Sequence, residues 1–316
     1  MKRCLCCGKP LRTETAVDWH SSCIKSFFGT SKMPDIDVSK ELLYQLVIDS
    51  TNKGYTVPGV QKKLSLHLTR DGETPRLTLV NYPTGYILKP QTENYTALPE
   101  MEYLVMQMAQ ATGIKTVPYA LVRLSSQENT FAYITKRIDR IDGKMLAMED
   151  FCQLEERLTE DKYRGSYERC GKVILRYSKT SGFDVTELFL RIVFSFAVGN
   201  SDMHLKNFSL IETEQGSAQY VLSPAYDMLS TNVVIPADKE QLALTLNGKK
   251  QNIRRKDFII FATGLGMPER SAEKMIDKIV KLKSKYISMC RESYMPEQMK
   301  NSLEGLIEER IAVLEK

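Results

Sequence analysis

A short polar stretch between two apolar segments carries the residues best suited to chemistry. Asn200, Asp202, His204, Lys206 and Asn207 are five polar side chains within eight positions. Asp202 and Asn207 have the spacing D-x-x-x-x-N, by which a protein kinase catalytic loop places its general base and one Mg²⁺ ligand. The Asp can accept the proton of an attacking hydroxyl, and an Asn carbonyl can bind Mg²⁺ without adding negative charge beside phosphates. The stretch therefore points towards phosphoryl transfer.

The D-x-x-x-x-N spacing alone also fits a helix-capping Asp followed by a turn-forming Asn. Three further residues favour the kinase interpretation. Asp227 follows two short predicted strands and offers a second carboxylate for metal. Lys89 ends the apolar strand "GYILKP", where it can neutralise nucleotide phosphates, and Glu102 lies early in the next predicted helix, where it can pair with Lys89. This joint order is much rarer by chance than the D-x-x-x-x-N spacing alone.

The elements that must position these residues fall into two halves. Alternating apolar residues predict strands in "LSLHL", "RLTLV", "GYILK", "YALVRL" and "TFAYITKRI", around one helix in "PEMEYLVMQMAQATG". Helices predominate from about Glu149 onward, and "VTELFLRIVFSFAVGN" is apolar nearly all round, as in a buried helix. "SAEKMIDKIVKLKSKYISM" and "NSLEGLIEERIAVLEK" each have the apolar spacing of a helix. The sequence predicts a two-lobed α+β protein, a layout in which ligands commonly bind between the lobes.

The first thirty residues are rich in cysteine. Cys4 and Cys7 form C-x-x-C, and His20 and Cys23 form H-x-x-C twelve residues later. Two close pairs of nitrogen and sulfur ligands match a structural Zn²⁺ site, and a segment this short needs a metal or docking to become ordered. Cys6 is an alternative ligand or a free thiol, and reduced cysteines without metal are the other interpretation.

Composition limits the class of protein. The chain has 316 residues, with 42% apolar residues, 26% charged residues and a net charge of +5, as expected for a globular protein. No apolar run reaches the roughly 18 residues of a membrane helix, and no secretory signal is visible, so we expect a cytoplasmic protein without a membrane segment. The basic run at 249–256 is interpreted as a solvated face; its alternative is a contact surface for an acidic partner or RNA-bound substrate. Direct nucleic-acid binding is not expected.

Four motifs resemble one family. "VPGVQKKLSL", "YILKP", "GNSDMHLKNFSL" and "YDMLS" are similar to HipA-type kinases, the serine/threonine kinases of bacterial toxin–antitoxin modules, over roughly residues 40–310. The resemblance implies a protein-kinase-like fold with a small β-rich N-lobe and a larger all-helical C-lobe. We therefore expect a Cys-rich zinc knuckle in residues 1–30, the N-lobe in 31–137 and the C-lobe in 138–316.

The resemblance also implies roles for single residues. Asp202 matches the catalytic base, and His204 lies in the same loop, where it can hold the loop's shape. Asn207 and Asp227 match the Mg²⁺ ligands, Lys89 the lysine that binds ATP phosphates, and Glu102 its helical partner. A phosphate-covering loop is expected at Thr56, Gly59, Gln61 and Lys63. Thr56 lies near the Ser that family members autophosphorylate to eject this loop.

The family further implies an ATP- and Mg²⁺-dependent kinase that acts on a protein such as an aminoacyl-tRNA synthetase and arrests growth. The chain resembles the short members, in which an N-terminal segment is a separate small protein, and a DNA-binding antitoxin is a further expected partner. Two alternatives are a catalytically weak nucleotide-binding regulator that acts with an antitoxin, and a small-molecule kinase. A P-loop phosphotransferase is disfavoured because no Walker A motif is present.

Overall fold

The computed structural model divides into two compact units. It describes residues 2–11, 17–36, 63–69, 74–78, 85–124, 130–141 and 144–316. The first unit comprises Met1–Tyr103 and Val117–Gly143, and the second comprises Leu104–Thr116 and Lys144–Lys316.

The first unit contains a six-stranded sheet. The strands are β1 (Asp35–Ile36), β2 (Leu64–Thr69), β3 (Arg76–Thr78), β4 (Tyr86–Pro90), β5 (Tyr119–Arg123) and β6 (Phe131–Lys136). Their order is β1-β3-β2-β4-β6-β5, and every pair is antiparallel except β1 with β3. Strand β4 is therefore an interior strand, and its register sets Lys89 opposite Tyr133 on β6.

Two helices accompany this sheet in the sequence. Helix α1 (Ser21–Phe28) ends at Gly29, which adopts the left-handed conformation with φ of 71°. Helix α2 (Leu98–Thr112) follows β4 and ends before Gly113, close to the bounds that its apolar spacing predicts. The boundary between the two units falls within α2.

The second unit is mainly helical. Its helices are α3 (Phe151–Leu154), α4 (Tyr167–Tyr177), α5 (Ser181–Ala197), α6 (Thr231–Val234), α7 (Arg255–Gly264), α8 (Glu269–Lys281), α9 (Lys283–Arg291) and α10 (Glu297–Leu314). Helix α5 packs against α4, α7, α8 and α10. Neighbours on several sides explain why α5 is apolar nearly all round.

The second unit also contains strands, although the sequence predicted an all-helical C-lobe. Strand β7 (Arg140–Ile141) still belongs to the first unit, and β8 (Lys144–Met145) is the first strand of the second. Strands β9 (Met148–Asp150), β10 (Ser209–Glu212) and β11 (Tyr220–Leu222) form an antiparallel sheet with β10 in the centre. Pairing of Ser209 with Asp150 fixes the start of β10, and therefore the end of the polar stretch that precedes it.

The apolar run that predicted one helix over residues 271–289 forms two. Helix α8 ends at Lys281 and α9 begins at Lys283, and the backbone N–H of the intervening Leu282 donates to the carbonyl of Ile279, three residues back. None of the helices in the described ranges combines the length and the apolar composition needed to cross a bilayer.

Candidate active site

The polar stretch forms a loop between α5 and β10. It contains Asp202 and ends in a 3₁₀ turn, Leu205–Asn207. The backbone N–H of His204 donates to the carbonyl of Asp202 at 2.8 Å, and Asn207 Nδ2 donates to the same carbonyl at 2.6 Å. The backbone N–H of Asp202 donates to Asn200 Oδ1 at 3.2 Å. The loop is therefore shaped by its own polar side chains, of which Asn200, His204 and Asn207 are buried.

A second set of contacts anchors the loop to the rest of its unit. Ser201 Oγ lies 2.7 Å from Thr231 Oγ1 and donates to Asp238 Oδ2 at 2.6 Å. At the other end, Lys206 Nζ forms an ion pair with Asp150 of β9 at 2.7 Å. Bonds at both ends fix the segment that holds the candidate base.

The carboxylate of Asp202 has a partner that the sequence does not indicate. Tyr163 Oη donates to Asp202 Oδ1 at 2.5 Å, and its ring meets the ring of His204 edge to face, with centroids 5.0 Å apart. Burial, followed by the hydrogen bond to Asp202, raises the pKa of Tyr163 well above its usual value, so the phenol keeps its hydrogen as a donor. Thirty-nine residues separate the two positions, and no motif links them.

Asp227 lies in an irregular segment after β11 with a φ of 54°, in the left-handed region. Non-glycine residues occupy this region rarely, and Asp is one of those that tolerate it. The neighbouring Tyr226 donates its hydroxyl hydrogen to the carbonyl of Lys206 at 3.2 Å and lies 2.5 Å from Ser209 Oγ. Because Lys206 and Ser209 flank Asn207, Tyr226 links the segment of Asp227 to that of Asn207.

The side chains of Asn207 and Asp227 suit a hard cation. The amide nitrogen of Asn207 donates to the carbonyl of Asp202, so the amide oxygen of Asn207 points away from that carbonyl. An amide oxygen and a carboxylate are ligands that Mg²⁺ accepts. The donor set at Asn207 and Asp227 therefore fits Mg²⁺.

The first unit brings Lys89 and Glu102 together. Lys89 Nζ lies 2.5 Å from Glu102 Oε1, with 3% and 1% of the two side chains exposed. Lys89 comes from interior strand β4 and Glu102 from the first turns of α2, as their order in the chain predicted. Lys89 Nζ also lies 5.2 Å from the ring centroid of Tyr133, within the range of a cation–π contact.

Three of the four residues expected in the phosphate-covering loop, Thr56, Gly59 and Gln61, lie outside the described residues. Lys63 immediately precedes β2 and is exposed.

The cysteine-rich segment brings its four predicted ligands together. One ligand atom from each of Cys4, Cys7, His20 and Cys23 lies within 4.8 Å of all the others. His20 Nδ1 is 3.4 Å from Cys7 Sγ and 3.9 Å from Cys23 Sγ. Tetrahedral zinc separates neighbouring ligand atoms by roughly 3.5 to 3.8 Å, given Zn–S of about 2.3 Å and Zn–N of about 2.0 Å. The spacing fits zinc, and the alternative ligand Cys6 is not in this group.

A hydrogen bond orients His20 for a metal. His20 Nε2 lies 3.3 Å from the carbonyl oxygen of Pro10. A carbonyl only accepts, so Nε2 carries the hydrogen and Nδ1 presents its lone pair towards the thiols. Ligating histidines in proteins are held in this way.

The same segment docks onto the sheet of the first unit. The carbonyl of Leu5 accepts from the N–H of Leu121 on β5 at 2.9 Å, and Trp19 Nε1 donates to the carbonyl of Leu121 at 3.2 Å. Tyr103 Oη on α2 donates to the carbonyl of Cys6 at 3.3 Å. Leu5 and Cys6 lie between the ligands Cys4 and Cys7, so the C-x-x-C turn itself makes the contact.

The basic run at 249–256 is largely paired within its own unit. Lys249 bonds Asp257 at 2.6 Å, Lys250 bonds Glu240 at 3.1 Å, and Arg255 bonds Asp277 at 2.8 Å. Cations engaged in this way favour the solvated-face interpretation over a partner surface.

Comparison with known proteins finds a match to one protein family. The model of the HipA-like C-terminal domain matches residues 55–286. A Haemophilus influenzae protein named "Putative kinase" is 25% identical over 99% of this chain and 98% of its own length. Two other relatives are matched over about half of their own length.

Solved structures share the fold. The Shewanella oneidensis toxin HipA, in a complex with HipB and operator DNA, has a TM-score of 0.69 at 19% identity, over 88% of this chain and 70% of its own. The Helicobacter pylori proinflammatory kinase CtkA has a TM-score of 0.55 at 16% identity, over 79% of this chain and 95% of its own. The predicted kinase-like α+β fold is thereby confirmed.

Proposed function

Because this chain belongs to the family of proteins with a HipA-like C-terminal domain, we propose that it is an ATP- and Mg²⁺-dependent kinase that phosphorylates a Ser or Thr hydroxyl of a protein. The observation that carries the proposal is the Asp202 loop. Its backbone is held by Asn207 and His204, and Ser201 and Lys206 anchor the loop on either side of Asp202. Positioning of this kind supplies most of the catalysis in phosphoryl transfer.

Each residue then has a defined task. Asp202 orients the acceptor hydroxyl and takes its proton as the oxygen attacks the γ-phosphorus, while the bond between that phosphorus and the β,γ-bridging oxygen breaks and ADP leaves. Lys89 neutralises phosphate charge and is held in place by Glu102. Asn207 and Asp227 would hold Mg²⁺, which would neutralise the negative charge that develops during transfer. His204 acts on the loop's shape through its backbone N–H.

The loop at Thr56, Gly59, Gln61 and Lys63 is proposed to cover the nucleotide phosphates. Phosphate on Thr56 would add nearly two negative charges beside those of ATP. Repulsion would drive the loop from the phosphates, and ATP affinity would fall. Autophosphorylation of Thr56 is therefore proposed to switch the kinase off.

The N-terminal segment is proposed to bind one structural Zn²⁺ through Cys4, Cys7, His20 and Cys23. Convergence of the four ligand atoms and the orientation of His20 support this proposal. Zinc would fix the C-x-x-C turn whose carbonyls contact β5 and α2. Its role is structural because all four zinc positions would be filled by protein ligands.

Partners follow from the family. An aminoacyl-tRNA synthetase is the proposed acceptor, and its phosphorylation would arrest growth. A DNA-binding antitoxin is a proposed partner, supported by the Shewanella oneidensis structure of HipA with HipB and operator DNA. A separate small protein that supplies the N-terminal segment of the longer members is a further proposed partner.

Quantitative phosphoproteomics tests the acceptor class. Wild-type protein and the Asp202→Asn variant are expressed to equal levels in the same host. We expect Ser or Thr phosphosites, with a synthetase among them, that appear only with the wild type. Identical phosphoproteomes would contradict a protein kinase and leave a regulator or a small-molecule kinase.

A further inference from the structure

Tyr163 contacts the candidate base directly. Its hydroxyl donates to Asp202 Oδ1 at 2.5 Å, while 37% of the residue remains exposed. A hydrogen bond to a carboxylate is charge-assisted and stronger than one between neutral groups. Tyr163 therefore constrains one of the two oxygens by which Asp202 can accept a proton.

The segment of Tyr163 is tied to the loop that contains Asp202. The carbonyl of Lys162 accepts from the backbone N–H of Leu205 at 3.2 Å. Lys162 Nζ lies 4.9 Å from the Tyr163 ring centroid, and the ring of His204 packs against the same ring. The bond from Leu205 to the Lys162 carbonyl, the ring contact with His204 and the hydrogen bond to Asp202 hold Tyr163 against the loop, so an acceptor could not displace it easily.

These contacts complete the positioning of Asp202. Its backbone carbonyl is held by His204 and Asn207, and its side chain is held by Tyr163. We propose that Tyr163 is a positioning residue that orients the Asp202 carboxylate towards the acceptor hydroxyl. The inference rests on the proposed function, in which Asp202 is the base.

The competing role for Tyr163 is that of a plug, a side chain that blocks the position of the acceptor. Its phenol hydroxyl bonds Asp202 as an acceptor hydroxyl would, so a plug would have to leave before transfer. The two roles predict opposite effects of removing the hydroxyl. Loss of a positioning bond lowers kcat, whereas loss of a plug lowers the KM for the acceptor or raises kcat.

The Tyr163→Phe variant separates the two roles. It removes Oη and keeps the ring that packs on His204. Release of ADP is measured with Mg-ATP and myelin basic protein as a generic acceptor. We expect kcat to fall about tenfold or more, as for loss of a hydrogen bond to a charged group, with KM values and Tm near wild type. The matched control is Tyr177→Phe, which removes the hydroxyl of a half-exposed tyrosine at the end of α4 and should leave kcat unchanged.

A double-mutant cycle shows whether Tyr163 acts through Asp202. Residues that act as one unit have non-additive effects. We expect Tyr163→Phe to lower kcat in the wild type and to change nothing further in Asp202→Asn. Equal losses of kcat in the wild-type and Asp202→Asn backgrounds, an unchanged kcat, or a lower KM for the acceptor would overturn the inference about Tyr163 but not the proposed function. A wild-type protein with no ATP-dependent turnover would overturn the proposed function as well.

Discussion

Lys89 and Glu102 form a buried ion pair in which Lys89 Nζ lies 2.5 Å from Glu102 Oε1. Strand β4 and helix α2 meet at this pair. Burial removes both charges from water, so each stabilises the other and neither tolerates loss of its partner. The pair therefore affects stability as well as the proposed binding of ATP phosphates.

Substitution of Lys89 by Met should lower stability and abolish transfer together. Removal of one partner leaves an uncompensated buried charge at Glu102, at a cost of about 3–5 kcal/mol in the free energy of unfolding. Urea unfolding and ADP release measure the two effects on the same sample.

The double variant Lys89→Met/Glu102→Met separates stability from function. Two apolar side chains leave no buried charge, so we expect its unfolding free energy to return close to wild type, as is common when both partners of a buried pair are replaced. Transfer should stay absent because no cation faces the phosphates. Activity in this stable variant would rule out the role proposed for Lys89.

Purified protein should contain about one equivalent of zinc. Cys23→Ser should lose the metal and Cys6→Ser should keep it, because Cys6 does not belong to the four converging ligands. Elemental analysis of the wild type and the variants measures their zinc content. Zinc far below one equivalent in the wild type, or loss of zinc from Cys6→Ser with retention in Cys4→Ser, would contradict the ligand set.

Chelation of zinc should weaken the contact between the C-x-x-C turn and β5. The N–H of Leu121 donates to the carbonyl of Leu5, which lies between two proposed ligands. Hydrogen exchange should therefore accelerate in a peptide covering Leu121 after treatment with a zinc chelator. Helix α10 provides an internal reference, and equal acceleration there would indicate general unfolding instead.

Substitutions at Asp227 should separate backbone tolerance from metal binding. Asn also tolerates the left-handed φ of 54°, whereas Ala there should cost about 1–2 kcal/mol. We expect the Tm of Asp227→Asn to match the wild type and that of Asp227→Ala to be lower. Mg-ATP should stabilise the wild type by about 2.7 kcal/mol when free ligand is one hundred times Kd. This stabilisation should be smaller in Asp227→Asn, which keeps only a neutral amide oxygen, and smallest in Asp227→Ala, which keeps no ligand atom. A full Mg-ATP stabilisation of Asp227→Ala would contradict the role of Asp227 as a ligand.

Incubation with Mg-ATP should place phosphate on Thr56. Mass spectrometry of the wild type should find the modification, and its accumulation should parallel a fall in activity. Asp202→Asn provides the control without transfer, and Thr56→Ala should keep its initial activity over time. Unmodified Thr56 in enzyme that loses activity equally fast would leave Thr56 with only a structural role before Val57-Pro58.

The sequence predicted the fold and the pairing partner of Lys89 because both depend on local patterns. Lys89 ends an apolar strand, and Glu102 lies thirteen residues later in the first turns of a helix with strong apolar spacing. The four zinc-site candidates were likewise found from two short spacings. Short spacings in the sequence predict these features without any knowledge of how distant segments pack.

Contacts between distant segments could not be predicted in this way. Tyr163 donates to Asp202 and the neighbouring Lys162 carbonyl accepts from the N–H of Leu205, and no periodicity or motif marks either bond. The break at Leu282 was missed because apolar spacing continues through it. Strand β9 is three residues long, too short for a pattern, and depends on its pairing with β10.

The most direct test of the account is transfer of labelled γ-phosphate from ATP to protein by Asp202→Asn beside the wild type. The substitution keeps the size of the side chain and a hydrogen-bond acceptor for Tyr163, but removes the base. We predict label on protein acceptors with wild type, Mg²⁺ and ATP, and a loss of about 10²-fold or more in Asp202→Asn with Tm unchanged, in the range expected when a general base is removed. Label transfer by Asp202→Asn at the wild-type rate would contradict the central claim that Asp202 is the catalytic base of a kinase.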